Sequence, residues 1–355
     1  MSFRTSEFTE IASGLGYPES PVPLSDGGFL VVDIKAGSLL RYRVGADGSY
    51  RADPPINLRD PTGKLGSGPN GAAIGPDGCV YVCNDGGKEF LELPMTQGDV
   101  KWSLSVTGDA ASNYAGGYIQ RVHLDTGEVE VWCAPDSVGA PVPDCSNEKH
   151  PKMDLSSPDD IIFDSSGGFW FTDWGNSKGR SREITGIYYV AAGSRTPIEA
   201  IPFRSGPNGI VISPDGKRLY VAETYSRWVV YWELSAPGKV KCNPRTLDGA
   251  YILNASLQGG GILDSMRLDE EGNLYVATML PDGLDPLKPG GITVISPDGK
   301  VLDYIELSIG IPEPLPSNLC FGGPDRKTAF ITCAGTGRIL SCRMKVPGLP
   351  AAYSV

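Results

Sequence analysis

The sequence predicts an all-β fold, a six-bladed β-propeller with four antiparallel strands per blade. Three observations predict it. The stretch 206–225 holds a polar residue, Asn208, then a short apolar run, a Pro214-Asp215-Gly216 turn and a second run ending at Ala222-Glu223-Thr224. Alternating runs around an Asp-Gly turn read as an antiparallel hairpin, and close variants of this one recur six times along the chain. Apolar residues rarely keep a 3.6-residue period for more than two turns, so helix is expected to be scarce.

The units follow in order. The first runs over 18–33 around Ser25-Asp26-Gly27-Gly28, and the second over 69–84 around Pro76-Asp77-Gly78. The third covers 158–173, the fourth is the stretch above, the fifth covers 263–278 and the sixth 316–333. Further alternating runs after each hairpin (38–44 then 50–56, or 228–234 then 245–247) supply the outer strands. The sixth unit ends after a third strand near 338–343. The strand-like run 7–12 is therefore expected to complete that blade and close the ring, leaving no long edge exposed. The whole of 1–355 reads as one propeller domain, with the 46 Gly and 30 Pro suited to many tight turns. Only the second unit is oversized. Its long loops, 85–116 and 134–157, are expected at the mouth, where function-bearing loops belong.

A net charge of −11 argues against a phosphate-binding surface, so small molecules or a cation are the expected partners rather than nucleic acid. The first twenty residues carry no basic-then-apolar leader, and no apolar run approaches membrane-spanning length. A cytoplasmic protein without a membrane or obligate protein partner is expected. The eight cysteines show no C-x-x-C spacing and are read as reduced core residues.

Glu19, Asn70, Asp159, Asn208, Asp264 and Ser317 occupy equivalent places at the start of each innermost strand, and all are expected to face the central channel at one level. Singly, such residues are ordinary turn formers before strands. Together they gather like charges on an axis, which is unfavourable unless a cation or protons neutralise them. Glu19, Asp159, Asn208 and Asp264 offer three carboxylates and a carbonyl, the oxygen-only set of a hard divalent ion such as Ca²⁺ or Mg²⁺. With no His or Cys in the ring, a tetrahedral structural zinc site is not indicated.

The units carrying Glu19, Asn208 and Asp264, with Phe321-Gly322-Gly323-Pro324-Asp325 in the last, resemble the SMP-30/gluconolactonase/luciferin-regenerating-enzyme family over nearly the whole chain. The resemblance implies a propeller with one catalytic divalent metal (calcium first, with zinc, magnesium or manganese as alternatives). Most members hydrolyse lactones, and diisopropyl-fluorophosphatase-like relatives cleave organophosphates. By position, Glu19, Asn208 and Asp264 match the family's metal ligands, and Asp264 its general base. Asp159 stands where most members carry Asn, so it is read as a fourth ligand and as a second candidate for the catalytic proton. Ser157 stands where sugar-lactonases often carry a substrate-binding Arg, which weakens a specific reading of gluconolactone as substrate. The expected reaction is metal-assisted attack of water on a lactone carbonyl, with Asn70 bonding the substrate or a bound water.

Gly175-Asn176-Ser177-Lys178-Gly179 matches G-x-S-x-G, but the residues after it alternate like a strand where that motif needs a helix. Of the two histidines, His123 lies in a blade strand, and His150, in the loop 143–153, is a candidate lid residue for proton transfer. Trp174 and Tyr225, with Tyr114 and Met279, are candidates to line a substrate pocket. An organophosphate hydrolase on the same site and a non-catalytic, protein-binding propeller are the alternative readings.

Overall fold

Six short strands converge on one axis, and five of them begin with proline: Pro18–Pro23, Pro69–Ile74, Pro158–Phe163, Pro207–Ile212 and Pro316–Gly322, with Ile262–Leu268 the exception. Proline lacks an N–H and is tolerated at the first residue of a strand, where no ladder bond is lost. Each inner strand touches the next around a closed circle. The computed structural model describes residues 2–136, 154–178, 180–183, 185–241, 249–255, 257 and 260–355.

From each inner strand a blade builds outward as an antiparallel meander, giving six blades. In the second blade Pro69–Ile74 pairs with Val80–Asn84, which pairs with Tyr118–Val122 and then Val129–Cys133. The ring closes as expected. Thr9–Ala12 hydrogen-bonds Arg338–Arg343 and becomes the outer strand of the sixth blade. Phe29 of the first blade stacks on Phe330 of the sixth, with ring centroids 4.2 Å apart, and sews that seam apolar. Helix among the described residues is limited to Pro281–Leu284, the 3-10 turn Ala334–Thr336 and a 3-10 position at Gly260. No helix is long and apolar enough to cross a membrane.

Three features differ from the sequence expectation. The outer strand of the fourth blade is Tyr251–Asn254; residues 245–247, expected there, lie outside the described residues. The run 50–56 splits into Tyr50–Ala52 and Ile56–Asn57, because Pro54 and Pro55 interrupt it. The segment 85–116 is no irregular loop. It holds a long hairpin, Lys88–Gln97 with Val100–Ala110, whose sheath of exposed residues hides any alternation.

That hairpin leans over the mouth toward the first and sixth blades. Lys35 pairs with Glu92, Phe90 packs on Tyr17, and Leu104 lies buried where it would meet any side chain added at Gly335. The opposite end of the axis is closed by residues 347–355. Leu349 N–H donates to Leu268 O at 2.9 Å, Ser25 N–H to Val355 O at 2.8 Å, and Tyr353 packs on Phe163. Between this strap and the inner strands lies an apolar cavity of about 110 Å³, lined by Ala72, Ile161, Val211 and Phe321 among others.

Every inner strand carries a β-bulge near its start. Register slips between Glu19 and Val22, Pro69 and Ala72, Pro158 and Ile161, Pro207 and Ile210, Leu263 and Met266, and Pro316 and Asn318. A bulge bends its strand and re-aims a side chain. Here it turns one residue per blade toward the axis.

Deleting residues 1–12 uncovers the edge of Arg338–Arg343. We expect a loss of about 2–4 kcal/mol in chemical unfolding, given the hydrogen bonds removed, and concentration-dependent aggregation on size exclusion. A monomer of unchanged stability would contradict the closure argument. The inner strands lie so close that a Cβ at Gly71 would fall 2.3 Å from Asp159 O, and one at Gly209 would fall 2.6 Å from Met266 N. Gly71→Ala and Gly209→Ala should each destabilise by about 1–3 kcal/mol in the same measurement.

Candidate functional site

The residues entering each inner strand are clamped before they reach the axis. The carboxylate of Asp33 accepts from Gly16 N–H (2.8 Å) and Tyr17 N–H (3.0 Å), immediately ahead of Glu19. Asn84 Oδ1 accepts from Gly68 N–H (2.9 Å), ahead of Asn70. Asp173 accepts from Ser156 and Ser157 N–H (both 2.7 Å), ahead of Asp159. Each clamp sits at the end of the strand paired with the inner one. The repeat thus supplies both the polar residue and the group that fixes its approach. Burial pushes the Asp173 carboxyl up to about 6 against those three-sided backbone bonds.

On the axis, Glu19, Asp159 and Asn208 are buried, while Asn70 and Asp264 keep some exposed surface. Asn70 Nδ2 lies 3.4 Å from Asp159 Oδ2, and the Asn208 amide hydrogen-bonds the Asp264 carboxyl. Ser265 Oγ is placed to donate to Glu19 Oε1 (3.3 Å) or to Asn208 Oδ1 (3.5 Å). Five of the six expected positions therefore meet around one volume.

Ser317 does not join them. Its hydroxyl turns sideways to Pro18 O (2.9 Å) and Thr332, because the bulge in the sixth blade falls one residue earlier. Asn318 takes the contact with the ring, donating from Nδ2 to Glu19 Oε2 at 2.9 Å.

Charge dominates this volume. Burial first, then Asp264, Glu19, Asp160 and Asp85, hold the Asp159 carboxyl well above the usual carboxylate range. Burial and Glu19 do the same to Asp264, against its bond from Asn208. Glu19 is pushed up to about 7 by burial and Asp160, against Asn318, Arg267 and the Ser20 N–H. Tyr17 is buried within reach of Asp264, Glu19 and Asp159, and its phenol stays neutral. Beneath the ring, Arg267 Nη1 pairs with Asp160 Oδ2 at 3.0 Å. Among the described residues, no Lys or Arg forms an ion pair with Glu19, Asp159 or Asp264.

These residues suit a hard cation by their chemistry: oxygen donors only, mutually repelling, buried and without a basic partner. They do not form a tight cage. Among the described residues, no group of three or more His, Cys, Asp and Glu is close enough to hold an ion by itself.

Trp174 and Tyr225 stand together at the mouth, with ring centroids 5.4 Å apart. Trp174 Nε1–H donates to Thr224 Oγ1 (3.3 Å), which donates to Leu263 O (2.9 Å), the carbonyl just before Asp264. Tyr114 is engaged with Ser156 O through its hydroxyl (2.9 Å). His150 lies outside the described residues. Ser177 of the G-x-S-x-G match sits in a two-residue strand, Ser177–Lys178, paired with Ser181–Arg182. That is a miniature hairpin, where a nucleophile elbow would turn from strand into helix.

Sequence reasoning missed the layer behind the ring, Ser265, Asn318 and the Asp160–Arg267 pair. Each of the acidic and polar members lies one residue after an expected ring position, so the doublets Asp159-Asp160, Asp264-Ser265 and Ser317-Asn318 were the available signal. It also missed Arg182 and Lys88, for which no local pattern exists.

The SMP-30/gluconolactonase/LRE-like region model matches residues 17–335. A gluconolactonase of Zymomonas mobilis is 27% identical over 336 residues, covering 91% of this chain and 78% of its own. A lactonase, drp35, of Staphylococcus aureus is 38% identical over 120 residues, 34% of this chain and 35% of its own. Among solved structures, a calcium-binding regucalcin from Agrobacterium tumefaciens superposes with a TM-score of 0.65 at 17% identity, covering 98% of this chain and 96% of that one. A gluconolactonase from Xanthomonas campestris gives 0.64 at 16% identity, over 98% and 92%. At those identities the structures speak for the six-bladed fold. The matched region takes in all five converging positions from Glu19 to Asp264, and the chain belongs to the SMP-30/gluconolactonase/LRE-like family.

Proposed function

We propose that the chain is a metal-dependent hydrolase that opens a lactone ring. The observation that carries this reading is the convergence of Glu19, Asp159 and Asp264, with Asn208, in one buried volume that holds no basic partner among the described residues. The lactonase names of the Zymomonas and Staphylococcus relatives support it. Glu19, Asp159, Asn208 and Asp264 would hold one divalent cation, Ca²⁺ before Mg²⁺, Mn²⁺ or Zn²⁺, since every donor is oxygen. Such an ion polarises a carbonyl and stabilises the charge that develops on its oxygen.

The chain's own groups then have distinct tasks. Asp264, oriented by Asn208 and keeping an open side toward the channel, accepts the proton of the attacking water. Glu19 is held from behind by Asn318 and Ser265, which leaves its position independent of substrate. Asn70, partly exposed beside Asp159, hydrogen-bonds the substrate or the water. Trp174 and Tyr225 form an apolar wall against one face of the ring and exclude water from it. The C-terminal strap closes the far end of the axis, so substrate and product pass through the mouth. A cytoplasmic setting agrees with six buried cysteines that remain thiols.

Two measurements test the assignment. With metal saturating, Asp264→Asn should lower kcat on a lactone about 10²–10⁴-fold, the span of a lost general base, whereas Asp159→Asn should stay within about tenfold of the parent. The reverse ranking would make Asp159 the base. Chelation with EDTA followed by dialysis should abolish acid release in a pH-stat assay, and added Ca²⁺ should restore it. Calorimetry on the stripped protein should show one binding event, weakened about tenfold or more in Glu19→Gln, because ligand charge sets affinity. Full turnover by the stripped protein would sink the metal assignment. An organophosphate in the same panel separates the phosphate-ester reading by its products.

A further inference from the structure

At the mouth beside the acidic ring stand two cations, Arg182 within electrostatic reach of Glu183 and Lys88 within reach of Asp85. Arg182 projects from the miniature hairpin of the third blade, and its guanidinium carbon lies 4.0 Å from the ring centroids of both Trp174 and Tyr225. Nη1 donates to Ser177 Oγ (2.9 Å) and Nη2 to Trp174 O (3.0 Å), and the guanidinium also hydrogen-bonds Tyr225, which fixes the plane and leaves part of the five-donor fork available. Lys88, at the base of the long hairpin, places Nζ 5.1 Å from the Trp174 ring centroid and bonds Asn176 Oδ1.

Neither cation forms an ion pair among the described residues. The carboxylates within electrostatic reach also hold backbone and hydroxyl partners. Glu183 accepts from Asn176 N–H (3.1 Å) and Ser156 Oγ, and Asp85 is buried on Gly87 N–H (2.7 Å).

We propose that Arg182 and Lys88, both packed against Trp174, form a subsite for an anionic group, so that the substrate is a lactone carrying a carboxylate or phosphate outside its ring. The proposal rests on the lactonase reading above. Four observations support it. First, this wall is mechanically joined to the reacting centre through Trp174, Thr224 and Leu263 O, one residue from Asp264. Second, the long hairpin meets this wall directly, since Lys88 at its base bonds Asn176 and its second strand touches Ser177–Lys178, so both cations are set by one contact between the second and third blades. Third, a chain of net charge −11 with an acidic ring repels an anion, and two fixed cations at the rim offset that repulsion where the substrate passes. Fourth, guanidinium held flat by two rings has little freedom left to lose on binding, and its planar fork matches carboxylate and phosphate. Binding energy from such a remote group can be used to orient the ring for attack.

The test compares matched lactones on the metal-loaded full chain. One pair is glucono-δ-lactone and its ester with phosphate at the terminal hydroxyl; the other is the γ-lactone of gluconic acid and that of glucaric acid, which adds a terminal carboxylate. The expected result is a higher kcat/KM for the anionic member of at least one pair, and which pair responds distinguishes phosphate from carboxylate. In Arg182→Met and Lys88→Met that preference should fall by about tenfold or more, the range of a lost charge-assisted hydrogen bond, and mainly through KM. Arg182→Lys should restore part of it, and thermal unfolding of each variant controls for folding.

Equal loss on neutral and anionic lactones would make Arg182 a strut between loops and overturn the proposal. So would no anionic preference in the parent, and in both cases the lactonase reading stands. If the parent opens no lactone in either pair, that reading fails and the subsite fails with it.

Discussion

Everything at the candidate site follows from the closeness of six strands around one axis. At Gly71 and Gly209 the neighbouring strand approaches so tightly that even a methyl group would collide with backbone atoms. Strands that close cannot all direct ordinary side chains inward. The bulge in each one relieves the crowding by letting a single residue turn to the axis at a common level. The same approach brings three carboxylates together, where burial first, then Asp264 and Glu19 raise the proton affinity of Asp159, and burial and Glu19 that of Asp264. The inner strands of the first and sixth blades touch, Phe29 stacks on Phe330 and Thr9–Ala12 completes the sixth blade, which together close the circle against that repulsion.

Repulsion of this kind is unfavourable for folding, and the fold meets it in two layers. Behind the ring, Asn318, Ser265 and the Ser20 N–H donate toward Glu19, and Arg267 compensates Asp160. On the ring itself, Asn70 and Asn208 offer amide hydrogens to Asp159 and Asp264. Neutral donors soften a carboxylate's burial without cancelling its charge. Positive charge near the axis is thus confined to Arg267, which is already paired below the ring. The front of the ring is left electrically incomplete, a condition that suits a site meant to receive a cation and a substrate.

Much of this was legible in the chain. The six Asp-Gly or Gly-rich turns and the period-two runs marked the hairpins, because turn chemistry and one-sided burial both leave local traces. Glu19, Asn70, Asp159, Asn208 and Asp264 could be aligned for the same reason. What escaped were features whose causes are not local. The Lys88–Gln97 strand is exposed on both faces for most of its length, so it has no alternation to detect. Ser317 looked equivalent to the ring positions, yet a bulge displaced by one residue handed the contact to Asn318. Arg182 and Lys88 lie far apart in sequence and acquire meaning only when the third blade's small hairpin meets Trp174.

The asymmetry of the mouth is the last consequence of the oversized second blade. A symmetric propeller offers its axis equally from every side, and only loop differences give it direction. Here one hairpin reaches from the second blade to the first, third and sixth, while the strap of residues 347–355 closes the opposite end of the axis. The aromatic pair stands on the side of the third and fourth blades, where Thr224 and Leu263 O tie it to Asp264. On the proposed reading, an arriving substrate would meet the aromatic pair and its cations before it meets the carboxylates. The order matters physically. Orientation would be set by the rim, where errors are reversible, and the ring would then act on a substrate whose reacting bond already faces it.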